Sequence, residues 1–179
     1  MTSPRNQAQY QVRFDWGLAG AGAISRGAHI VVWVDALSVG RTADPTALLH
    51  GGAIVEGTVG NAAATARWVL DRQVEIGDRA VVAVVAAGSD ATRFAVEDLL
   101  AAGAVIDALG DVGIDYLSPE AAVAAAAFTA LRNATWHLLS ASVTGQELIA
   151  LHGREAVDAA RTANSQPQVR ILREFRPPA

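Results

Sequence analysis

Apolar positions along the chain follow two periods, and their alternation predicts the architecture. Tyr10, Val12 and Phe14 alternate with polar residues, as in a strand with one face covered. The run His29-Ile-Val-Val-Trp-Val-Asp35 is continuous and β-branched, the pattern of a central strand buried on both faces. Ala53 to Glu56 and Ala80 to Ala86 read as further strands, the second ending in Ala87-Gly88-Ser89-Asp90, and Gln168 to Phe175 as a last one. Helical spacing fills the intervals. Asp44-Pro45 caps a short helix that Gly51-Gly52 closes, Asn61 caps one over 62–73, and Leu99, Leu100, Val105, Ile106 and Leu109 place a third over 96–109. Ser118-Pro119-Glu120 opens an alanine-rich helix, and Thr144-Gly-Gln-Glu147 has the form of a capping box.

Strands that alternate with helices predict an α/β fold, a three-layer α/β/α sandwich on a mixed or largely parallel sheet. No internal repeat or linker interrupts residues 1–179, which are expected to form one domain with residues 1–8 flexible. The polar stretch Met1 to Gln11 has no apolar core of a signal peptide, and Ile30 to Val34 is far too short to cross a bilayer. A cytoplasmic protein is the expectation.

Composition narrows the chemistry. Of 179 residues 51% are apolar and 18% charged, which places the chain in the globular class. A net charge of −4 gives no reason to expect nucleic acid or an anionic membrane as partner. Cysteine is absent, which excludes disulfides, thiol catalysis and thiolate metal sites. Lysine is absent too, so all 14 basic residues are arginines. That removes Schiff-base chemistry and a Walker-type phosphate loop, and leaves arginine, backbone amides or a metal to hold any phosphate or sulfonate.

Ligands of open α/β sheets bind beyond the carboxyl ends of the strands. Two apolar strands deliver polar residues there: the first Asp35 and then Ser38, the second Gly88 and then Arg93, Glu97 and Asp98. Magnesium takes one or two carboxylates together with waters and phosphate oxygens. Asp35 with Glu97 or Asp98 could supply them, with Arg93 as a forked partner for an oxyanion. Blander readings stand beside these. Glu97 and Asp98 lie where acids stabilise a helix N-terminus, Asp35 could simply end a turn, and Arg93 could be a surface residue. His29, His50, His137 and His152 lack metal-ligand spacing, and Trp33 and Trp68 read as core. A dinucleotide fingerprint is suggested by Gly17-Leu-Ala-Gly20-Ala-Gly22 ahead of Asp35, but the glycines fall as GxxGxG. Six residues between Gly22 and His29 also look too few for a helical crossover.

Several segments, in order, resemble the 2-phosphosulfolactate phosphatase family. They are Phe14-Asp15-Trp16-Gly17, Ile30 to Ser38, Gly60-Asn61-Ala62-Ala63, Val81 to Leu109 with Glu97-Asp98-Leu-Leu-Ala-Ala-Gly103, Ser142-Val-Thr-Gly145-Gln-Glu-Leu148 and Ile171-Leu172. The resemblance implies an α/β/α fold, bound magnesium and hydrolysis of a phosphate monoester on a small sulfonated acid. It implies catalytic parts for Asp35, Arg93 and Glu97, metal ligation by Asp35 and Asp98, and substrate contacts from Ser38, Asn61, Gly88 and Gly145. The chain departs from the pattern in two places. Arg41 to Gly52 spans an interval where members carry several tens of additional residues, and Gln146 stands where they carry an arginine. Two classes of function follow: a reduced magnesium phosphohydrolase taking a small anionic phosphate or sulfonate, or a domain that keeps the fold and binds a ligand or a second copy of itself.

Overall fold

The computed structural model describes residues 3–39, 44–49, 52–89 and 93–175, so His50, Gly51 and Asp90 lie outside the described residues. Its elements are β1 (Val12–Trp16), α1 (Gly17–Ile24), β2 (Ile30–Val34), α2 (Pro45–Leu48), β3 (Ala53–Glu56), α3 (Ala62–Ile76), β4 (Val82–Ala86), α4 (Val96–Asp111), α5 (Pro119–Leu131), α6 (Thr135–Ala141), α7 (Val143–His152), α8 (Arg154–Asn164) and β5 (Arg170–Arg173). The strands form one sheet in the order β1-β4-β2-β3-β5. The first four run parallel, and β5 closes the edge antiparallel to β3.

The two faces of the sheet are covered unequally. Ile30, Val32 and Val34 of β2 point to the same side as Val55, Val82 and Val84, where α3, α4 and α5 complete a large apolar cluster. Val31, Trp33, Ile54, Ala83 and Val85 point to the other side, covered mainly by Ala21 and Ile24 of α1 and by Leu49 and Leu172. All five residues of β2 and of β4 are buried, as their unbroken apolar runs require. The result is the expected layered α/β arrangement.

Local details depart from the sequence reading where polar residues found other partners. The glycine–alanine segment is itself a helix, α1, which carries the chain from β1 to β2 with β4 lying between them in the sheet. A helical crossover is therefore present, because the glycines belong to it; only the glycine spacing still argues against a dinucleotide fingerprint. Gly17 opens this helix at a φ of +58°, a left-handed turn that a side chain would strain. The polar face of β1 is covered as well: the buried Arg13 donates to the carbonyls of Ile24 and Arg26 at 3.1 and 3.0 Å, at the C-terminal end of α1. Of the lead expected to be flexible, residues 3–8 are described, and the buried Gln7 side chain pairs with both backbone groups of Phe14.

Two caps also move. Asp44 and Ser118 cap α2 and α5 as expected. The cap of α7 is Ser142, whose hydroxyl accepts from the Gly145 amide at 3.0 Å, two residues ahead of the predicted Thr144 box. Asn61 precedes α3 without capping it by its side chain.

Helices α4 and α5 pack through small residues, Ala101, Ala102 and Ala104 against Ala121 and Ala124. A Cβ at Gly103 would run into the Ala124 carbonyl and come within 2.7 Å of Phe128 Cβ. Gly103→Ala is therefore expected to lower stability by about 1–2 kcal/mol, even though alanine is worth about 1 kcal/mol more than glycine in a helix interior. The midpoint of urea unfolding reads this directly.

Candidate functional site

The carboxyl ends of β2 and β4 are adjacent, and one side chain ties together the loops that leave them. Asp98, in the first turn of α4 and 2% exposed, accepts from the Ala36 amide through Oδ1 at 2.7 Å and from the Gly88 amide through Oδ2 at 2.8 Å. The Ala36 carbonyl is held in turn by the Asn164 amide of α8 at 2.8 Å. Gly88 takes a φ of +73°, and a Cβ there would come within 2.7 Å of the Arg93 carbonyl, so this turn requires glycine. Burial pushes the Asp98 carboxyl up to about 8; the two amides pull it down, and Asp35 and Glu97 push it further up.

Asp35 follows β2 directly, on the face that carries Val31 and Trp33. Its Oδ1 accepts from the Ser38 hydroxyl at 2.8 Å, which orients the carboxylate. Burial raises its pKa; the Ser38 hydrogen bond works against that, and the charges of Glu56 and Glu97 work with it. Glu97 is 2% exposed, and its Oε1 is buried with no hydrogen-bond partner. The three acids expected at the strand ends are thus near enough for their charges to act on one another, and Glu56 of β3 acts on Asp35 as well.

Asp35 opens into a pocket of about 460 Å³ that is also lined by Trp33, Ser38, Thr46, Glu56 and Arg170. Glu56 and Arg170 are cross-strand partners of β3 and β5, and Arg170 Nη1 reaches Glu56 Oε2 at 2.8 Å. Arg173 fixes the neighbouring wall by donating to the Thr46 carbonyl at 2.7 Å. Asn61 braces the carboxyl end of β3. Its Oδ1 accepts from the Thr58 amide at 2.8 Å, and its Nδ2 donates to the Glu56 carbonyl at 2.9 Å.

Not every expected residue is brought to this point. Of the expected residues only Asp35 and Ser38 line the pocket; Glu97 and Asp98 are buried behind its described lining, and Arg93 is exposed on the turn after β4, its backbone paired with Ser89. The neighbours of Gly145 are the carbonyls of Leu139 and Ser140 at the α6–α7 corner. His29 accepts from the Val81 amide through Nδ1 at 2.9 Å, at the opposite ends of the strands. Sequence reasoning passed over Glu56 and Arg170. Glu56 carried the same signal as Asp35, an acid ending an apolar strand. Arg170 carried none, since its place depends on β5 pairing with β3 more than a hundred residues away in the chain.

The acids suit a hard cation only as a pair. Among the described residues no three His, Asp or Glu side chains are arranged to hold a metal ion. Magnesium needs no more than one or two carboxylates, and the unpartnered Glu97 oxygen is the kind of buried atom that a cation would satisfy. Among the described residues no helix is long and apolar enough to cross a membrane.

A family model described as 2-phosphosulpholactate phosphatase matches residues 45–174. The match takes in Glu56, Asn61, Gly88, Arg93, Glu97, Asp98, Gly145 and Arg170, and begins after Asp35 and Ser38. No curated protein matches the chain.

Proposed function

Because the chain belongs to the 2-phosphosulpholactate phosphatase family, we propose that it hydrolyses a small phosphate monoester with the help of magnesium, in the pocket that Asp35 opens into. The observations that carry this reading are Asp35 in the pocket wall and the buried, unpartnered oxygen of Glu97, an acid whose charge acts on Asp35. Asp35 and Glu97 would hold the cation, whose chemistry is to neutralise charge on the phosphoryl oxygens. Ser38 holds the Asp35 carboxylate in one orientation. Asp98 is read as a positioning residue: both of its oxygens are engaged by backbone amides, and through them it sets the Ala36 and Gly88 turns around the site. Arg93 remains outside the pocket and takes no step in this reading.

Steady-state phosphate release from a panel of small phosphate monoesters, with magnesium and with a chelator, tests the proposal. Magnesium-dependent turnover of at least one member supports it; a folded protein inactive on the whole panel overturns it. The raised pKa of Asp35 adds a second expectation. A carboxyl must be ionised to hold a cation, and protons compete for it at higher pH than they do for an ordinary aspartate. Magnesium affinity should therefore rise with pH through a range displaced above the usual carboxylate range, as calorimetry at several pH values would show.

A further inference from the structure

The pocket is unbalanced for the ligand it is proposed to take. Asp35, Asp44 and Glu56 line it, and among its described lining residues Arg170 is the single cation. A phosphate dianion entering three carboxylates is repelled unless a positive group meets it. Arg170 is placed to do so. It projects from β5 with its side chain 72% exposed, and its contact with Glu56 Oε2 engages one nitrogen of a group that carries five N–H donors. An ion pair this exposed contributes little to stability and is readily given up. The same lining contains Trp33, whose buried indole N–H has no acceptor, so a donor in the pocket wall is also unmet.

We propose that Arg170 is the anion-anchoring residue of this pocket, exchanging its Glu56 partner for the oxygens of an incoming phosphate. Glu56 then acts as a competitor built into the site. It holds the guanidinium in place across the β3–β5 pair and sets a threshold that only a doubly charged oxyanion passes. The proposal rests on the same pocket as the phosphohydrolase reading but concerns binding alone.

Calorimetric titration of the whole chain with inorganic phosphate tests it. Arg170→Ala should weaken phosphate by about ten- to a hundredfold, the range for losing charge-assisted hydrogen bonds, and Arg170→Lys should recover part of the loss. Glu56→Gln should tighten phosphate several-fold by releasing the guanidinium and relieving repulsion, and in the Arg170→Ala background, where only the repulsion is relieved, it should tighten phosphate by a smaller factor. That non-additivity is a result a merely structural role for either residue would not produce. Phosphate affinity unchanged by Arg170→Ala, weaker binding in Glu56→Gln, or no phosphate binding by the wild type each overturns the proposal. Failure of the phosphohydrolase reading looks different: phosphate then binds in an Arg170-dependent way while no monoester is turned over.

Discussion

Asp98→Ala is expected to destabilise the protein by about 3 kcal/mol, a large fraction of the stability of a domain this size. The carboxylate satisfies the amides of Ala36 and Gly88 from the buried first turn of α4. Its removal strands one buried and one part-buried donor, each at about 1–3 kcal/mol. Asp98→Asn keeps the shape but turns a donor toward one of those amides, so it should recover little. Chemical denaturation of both variants measures the loss, and an effect below about 1 kcal/mol for Asp98→Ala would refute the clamp. The same residue sets a pH dependence in magnesium-free buffer. Its pKa is about 8 in the fold against 3.8 for an ordinary aspartate, so between those values the folded state binds more protons than the unfolded one. The contribution of Asp98 to stability is therefore present in full below about 4 and lost as pH rises through about 8. In Asp98→Ala this part of the pH profile should flatten.

The other large effect is on turnover. Asp35→Asn keeps the size of the side chain and lets Ser38 keep a hydrogen-bond acceptor, while removing the charge that the proposed cation needs. Losing one of two carboxylate ligands should reduce kcat/KM by about a thousandfold, equivalent to roughly 4 kcal/mol of transition-state stabilisation. Glu97→Gln should act in the same direction and yet leave the fold at least as stable, because it removes a charge whose Oε1 has no partner in the protein. Opposite signs on stability and activity would separate a functional acid from a structural one.

Much of the fold could be read from local sequence because β2 and β4 are unbroken apolar runs rich in β-branched residues, and they occupy the interior places such runs predict. The helix α1 could not, since glycine and alanine carry no apolar periodicity and the segment looks like a loop. Asn61 and Ser142 show a related limit: which polar group caps a helix depends on which amide it meets once the turn is folded. At the site, Asp35 was visible as an acid at the end of a buried strand. Glu97 looked the same as any acid favouring a helix N-terminus, and only its burial without a partner sets it apart. Arg93 was placed by its nearness in sequence to Glu97, but the turn after β4 leaves it exposed outside the pocket. The cation that does line the pocket comes from the last strand, through an antiparallel pairing that no local pattern encodes.

The central claim, that Asp35 and Glu97 form the working centre of a magnesium phosphohydrolase, is tested most directly by one comparison. Phosphate release from the best monoester of the panel is measured across a magnesium titration for the wild type, Asp35→Asn and Glu97→Gln. The account predicts saturable magnesium activation in the wild type and its loss in both variants, with circular dichroism unchanged. Wild-type rates and magnesium dependence retained in both variants would contradict it.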